Sequence, residues 1–149
     1  LILHNQKYYL MAHSTYWDNM VFHRLDRISN MQFCDRPAKS IREVKGYESG
    51  IDYKKIASTM PYMYTDEPER IKFVSAVGII DQVIDWFGQD IKIESTDNEK
   101  EVIVTLQASP SAMEHWAMQY LNYVKVLNPD NLRKQITENL EKGLQSYNQ

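Results

Sequence analysis

Apolar and polar positions follow two different rhythms along this chain, and the change falls near residue 60. Before it the pattern predicts strands. Leu1-Ile2-Leu3 reads as a strand or its edge, and Tyr8-Tyr9-Leu10-Met11-Ala12 is aromatic and apolar, as a buried strand would be. Thr15 to Asn19 is polar enough for a hairpin turn with Asp18-Asn19 at its tip. Val21 to Ile28 follows as the returning strand, and Met31-Gln32-Phe33-Cys34 as a third short one. From Asp35 to Ser58, polar and basic residues mix with Pro37, Gly46 and Gly50, which predicts loops and one short helix.

Pro61 to Glu69 carries two prolines and three acids and reads as a boundary. It suggests a first domain over 1–60 and a second over 61–149. Beyond it the elements are clearer. Arg70 to Val74 predicts a strand, and Ser75 a cap for a helix to Phe87, with Val77, Ile80, Ile84 and Phe87 at helical spacing and Gly88 as its stop. Asp81 and Asp85 lie one turn apart and read as a wet face. Ile91 and Ile93 alternate with Lys92 and Glu94. A turn over Thr96 to Glu99 leads into a returning strand carrying Val102, Val104 and Leu106. Ser109-Pro110 opens a second helix, with proline where its missing N–H costs nothing, and Met113, Trp116 or Ala117, and Tyr120 form its stripe. Tyr123 to Leu127 is another strand, and Asn128-Pro129-Asp130 begins a last helix with Leu132, Ile136 and Leu140. The order β-α-β-β-α-β-α predicts a ferredoxin-like split βαβ sandwich, with helices on one sheet face and the other face left to pack elsewhere.

Composition changes this picture little. Apolar residues make up 43% and charged residues 25%, which is ordinary for a globular α+β chain. No apolar run is long enough to cross a bilayer, so no membrane partner is expected. The start, Leu1-Ile2-Leu3-His4, lacks a signal-peptide pattern and begins mid-pattern, which suggests a fragment with its N-terminal part missing. The single cysteine, Cys34, leaves no internal disulfide and suits a reducing, cytoplasmic setting. Charge is uneven. Residues 1–60 hold nine Lys and Arg against six Asp and Glu, a net +3, and residues 61–149 hold eight against fourteen, a net −6. An anionic ligand would prefer the first part, where His4, His13 and His23 also lie.

Candidate chemistry centres on the hairpin. Alternation along the second strand puts Phe22, Arg24, Asp26 and Ile28 on one face, and His23, Leu25 and Arg27 on the other. Arg24 offers a planar fork for phosphate, and Tyr9 and His13, four residues apart, would face the same way. A charged fork beside an aromatic wall suits a stacked base whose phosphate is held by charge. The competing reading pairs Arg24 with Asp26 as a structural bridge. Tyr16-Trp17 fits either an exposed contact or a plug. Lys39, Arg42, Lys45, Lys54 and Lys55 read as solvated surface unless they line a groove beside Arg24. Trp86-Phe87 and Trp116 read as core or interface. Four dispersed histidines and one cysteine give no metal-ligand spacing, and no nucleophile elbow, phosphate loop or zincin motif occurs, so neither a cofactor nor an enzyme is expected.

Lys7-Tyr8-Tyr9-Leu10, followed after a hairpin by Arg24-Leu25-Asp26-Arg27-Ile28, resembles the WYL domain family. Tyr8 stands where that family's tryptophan is usual, and His23 where a phenylalanine is. Downstream, Trp116 to Tyr120 and Val124 to Pro129 resemble the C-terminal extension of such regulators, which are of the DeoR-like type. The resemblance implies a partial Sm-like β-barrel followed by an extension domain. It implies an effector, a nucleotide or single-stranded nucleic acid, and favours Tyr9 and Arg24 for its pocket; His13, His23 and Arg27 complete the candidate ligand residues, with Arg27, like Asp26, read rather as structural. It also implies double-stranded DNA binding through an absent N-terminal helix-turn-helix, and a homodimer. The alternative is a dimerisation module without a small ligand.

Overall fold

A computed structural model describes residues 1–148. The chain divides into two compact units, Leu1–Lys55 and the remainder from Ile56. Over the described residues the fold is mixed α+β, with two antiparallel sheets and four α-helices.

The first unit is built on an open three-stranded sheet in the order β1 (Ile2–His4), β2 (Lys7–Ser14), β3 (Asn19–Arg24). Asn5 and Gln6 join β1 to β2 with positive φ at both positions, 45° and 60°, as a two-residue hairpin demands. The second turn spans Thr15 to Asp18, so Asn19 is not at its tip. Asn19 pairs with Ser14 as the first residue of β3, and Asp18 absorbs the left-handed backbone at φ 47°. The strand expected through Ile28 stops at Arg24. Leu25–Arg27 closes a 3-10 turn, with the Ile28 N–H donating to the Leu25 carbonyl at 3.2 Å. The expected strand over Met31 to Cys34 is absent. Residues 31–40 are exposed without regular structure, Met31 and Phe33 included, and no described strand pairs with them. Ile41–Glu43 is a second 3-10 turn, and helix α1 (Tyr53–Thr59) crosses the division between the units.

The second unit runs β4 (Glu69–Ala76), α2 (Ile80–Phe87), β5 (Lys92–Ser95), β6 (Glu101–Ala108), α3 (Pro110–Gln119), β7 (Val124–Asn128), α4 (Asp130–Tyr147). Its sheet has the order β5-β6-β4-β7, antiparallel throughout. One row of side chains crosses all four strands: Ile93, Val104, Phe73 and Val126 stand opposite one another in register. Phe73 and Val104 are wholly buried, and with Ile71, Val83, Phe87, Leu106, Met113 and Trp116 they form the core. Trp116 packs edge-on to Phe73 and Phe87, with ring centroids 5.8 and 5.1 Å away.

Two local expectations fail here for one reason. Ser75 does not cap a helix. It remains in β4, paired with Val102 and wholly buried, and its hydroxyl donates to the Ala76 carbonyl. Pairing with β6 through Ala76 extends the strand, so α2 begins only at Ile80, behind a 3-10 turn over Val77–Ile79. Its buried residues are therefore Val83 and Phe87, while Val77 is exposed. Gly88 ends α2 at φ 78°, as expected. Ser109 and Pro110 start α3 as read from the sequence: the Ser109 hydroxyl accepts the Ala112 N–H at 3.0 Å.

Candidate functional site

The hairpin β2–β3 places the expected ligand residues one by one. Tyr9 and Arg24 are direct cross-strand partners, so their side chains rise from the same face at the end of the ladder. On that face Met11 opposes Phe22 and His13 opposes Met20. His13 lies four residues from Tyr9, about 13 Å along the strand, so one phosphate cannot touch both. His23 opposes Leu10 and points to the other face. Arg27 sits in the exposed 3-10 turn, outside the ladder. The structure therefore gathers Tyr9 and Arg24, sets His13 farther along the same surface, and leaves His23 and Arg27 apart.

Arg24 is held by Asp26. Its Nε donates to Oδ1 at 3.0 Å and its Nη2 to Oδ2 at 2.6 Å, the bidentate arrangement that guanidinium and carboxylate geometry favours. The Arg24 side chain keeps 27% of its surface exposed and the Asp26 side chain 52%. Hydrogen bonds and charge from Asp26, with a smaller contribution from Tyr9, hold the guanidinium proton more tightly than usual. In return Arg24 holds the Asp26 carboxyl below its ordinary range. The structural bridge weighed from the sequence is thus present, but at the surface. A guanidinium has five N–H donors, and Asp26 takes two.

His13 is mostly covered, with 14% of its side chain exposed, and its Nε2 lies 3.0 Å from Asp18 Oδ1 across the turn. Tyr16 and Trp17 pack edge to face at 4.7 Å, both exposed. Beside His13 the same sheet face opens on a cavity of about 690 Å³ that neither Tyr9 nor Arg24 lines. Ile41, Val44, Ile51 and Tyr53 help to wall it, and nothing in their spacing signals this in the sequence.

The second unit carries two polar devices that the sequence does not announce. Asp66 accepts the Ser109 hydroxyl at 2.6 Å and the Ser111 N–H at 3.0 Å, tying the segment before β4 to the start of α3. Tyr62 stacks on Trp86 at 4.7 Å, meets His115 edge-on at 4.6 Å and donates its hydroxyl to Gln119 at 3.1 Å. Burial first, then the neighbouring Tyr120 and Tyr64, push its phenol up to about 12. These contacts bind segments together and present no reacting group.

Among the described residues no cluster of His, Cys, Asp or Glu could hold a metal ion. No helix among them is long and apolar enough to cross a membrane. No curated protein matches the chain. A family model described as the WCX domain matches residues 67–144, which takes in β4 through most of α4. That domain is the C-terminal one associated with WYL regulators, a regulatory setting, and not a known enzyme. The match spans more than half of the 149 residues and all four strands of the second sheet, so the chain belongs to the WCX domain family.

Proposed function

We propose that this chain is the non-catalytic, effector-sensing region of a bacterial WYL-type transcription regulator. A nucleotide or single-stranded nucleic acid binds on the β2–β3 hairpin, with a base against Tyr9 and a phosphate on Arg24. One observation carries this reading: a partly exposed guanidinium directly opposite a tyrosine in the cross-strand register. Asp26 is the internal competitor that a phosphate displaces. The roughly 13 Å to His13 favours a ligand with more than one phosphate or base.

In this reading residues 1–60 correspond to part of an Sm-like barrel, and residues 61–149 to a ferredoxin-like extension. The sheet order β5-β6-β4-β7 and the succession β-α-β-β-α-β support the latter. The DNA-binding element is a helix-turn-helix on another part of the polypeptide, and the regulator works in the cytoplasm as a homodimer. Effector binding alters DNA affinity only by the difference in its own affinity for the two arrangements.

Fluorescence anisotropy with a labelled oligothymidylate, run at several salt concentrations, tests this. Losing a charge-assisted bidentate contact in Arg24→Ala weakens binding by about tenfold or more and lowers the salt slope by about one. Asp26→Asn, which removes the competitor, tightens it. Equal affinity and slope in wild type and Arg24→Ala would remove the basis for the reading.

The second reading is a dimerisation surface. It draws on Leu3, Tyr8 and Leu10, exposed on the opposite face of the hairpin. Sedimentation of wild type against Leu10→Glu separates the two, since only an interface on that face would shift the mass. Trp116, which the sequence left as core or interface, is wholly buried in the core and takes no part.

A further inference from the structure

The cavity beside His13 has a different chemistry from the Tyr9–Arg24 edge. Ile2, Met11 and Met20 of the sheet form its apolar floor, and Ile41, Val44 and Tyr53 stand among its walls. Its volume, about 690 Å³, falls in the range of pockets that enclose small organic ligands, roughly 300–1,000 Å³. Two lining side chains can carry positive charge, Lys39 and His13, Leu1 with its α-amino group also lines the cavity, and none of the described lining residues is a carboxylate. His13 has its own acid, Asp18, outside the cavity, whereas no ion pair engages Lys39 among the described residues. Val44 and Met20 are 2% and 3% exposed, so the floor and rear wall are firmly packed, while Lys39 lies on the exposed 31–40 segment at the rim.

We propose that this cavity is a second binding site, distinct from the Tyr9–Arg24 edge, and that it takes an amphipathic monoanion: a medium-chain or aromatic carboxylate. The apolar body lies over Met11 and Met20, and the carboxylate meets the Lys39 ammonium at the mouth. The long stem of Lys39 lets its charge stay in water while its methylenes cover the ligand. A nucleotide is a poor occupant, because its polar sugar and several charges would face apolar walls with one uncommitted side-chain cation. The site is independent of the hairpin-edge reading, since neither Tyr9 nor Arg24 lines it.

The test uses the chain as it stands, with 8-anilinonaphthalene-1-sulfonate as fluorescent probe and decanoate and decanol as competitors. One saturable site is expected, with decanoate displacing the probe about fivefold more effectively than decanol, the worth of an exposed ion pair. Lys39→Glu abolishes the preference for decanoate and leaves decanol unchanged. Ala38→Trp, which places a ring in the mouth from an exposed position, removes both competitors' binding. Arg24→Ala changes neither, so failure of this site and failure of the hairpin edge are read separately. Non-saturable probe binding, or equal displacement by decanoate and decanol in wild type, overturns the proposal. So does wild-type decanoate affinity in Lys39→Glu, a surface change that leaves the fold intact even if Ala38→Trp does not.

Discussion

Two side chains show how burial sets the behaviour of a polar atom. Trp116 is wholly buried, and its indole Nε1 has no hydrogen-bond partner among the described residues. Folding strips that N–H of water with nothing in exchange, a cost of about 1–3 kcal/mol that the ring's packing against Phe73 and Phe87 must exceed. Trp116→Ala should therefore cost about 3–5 kcal/mol in denaturant unfolding. Trp116→Phe should cost far less, about 1 kcal/mol, because it deletes the stranded donor along with part of the ring. Tyr62 shows the same physics in a titrating group. Its phenol keeps its proton up to about pH 12, whereas the unfolded chain releases it near 10. The folded state then binds the extra proton between those values, so its contribution to stability is intact below pH 10 and is lost as pH rises toward 12. Absorbance titration at alkaline pH should show a late-ionising tyrosine that disappears in Tyr62→Phe, and that variant should lose less stability across the same window.

At the scale of elements, sequence and structure agree where a local rule acts alone. Ser109 and Pro110 are read correctly because capping is a matter of a few neighbouring atoms, and the hydroxyl accepts from Ala112 as expected. Gly88 ends α2 for a similar reason. Agreement fails where pairing with a distant strand decides. Ser75 has the chemistry of a cap, but β6 holds it in the sheet. Val21 to Ile28 reads as one strand, but the ladder ends at the Tyr9–Arg24 pair and the chain turns. The Tyr9–Arg24 pairing follows from a turn over Thr15 to Asp18, whereas the tip at Asp18-Asn19 read from the sequence would shift the register by four residues, so the hairpin is legible and its register is not. The His13 cavity is not legible either, since its walls come from residues beyond the sheet whose placement no periodicity encodes. The Ser109 cap is also more than local. Its hydroxyl donates to Asp66 while accepting from Ala112, so Ser109→Ala should destabilise the second unit by about 2 kcal/mol, measured by urea unfolding followed at Trp fluorescence.

At the scale of the whole molecule, buried apolar side chains are unequally shared. Met20 and Val44 are the buried hydrophobics of the first unit, whereas the second holds a cluster around Phe73, Val104 and Trp116. Stability follows buried apolar area, so the two units should open at different free energies. Brief trypsin digestion should cut first after Lys39, in the exposed 31–40 segment without regular structure, and leave a resistant fragment containing β4 to α4. Mass spectrometry of the early fragments checks this, and first cleavage within α2 or α3 would contradict it.

The carboxylate of Asp66 has a practical corollary for anyone wishing to excise the second domain. The family match starts at residue 67, one position too late to include the side chain that clasps both Ser109 and Ser111. Upstream of it, Thr59 accepts the Ser109 backbone N–H, and Ile56, Pro61 and Met63 are buried. A version trimmed to the matched span would open the front of α3 to solvent and bare apolar surface. One begun ahead of Ile56 keeps that corner closed, so the sensible scissor point is set by these hydrogen bonds and not by the limits of sequence similarity.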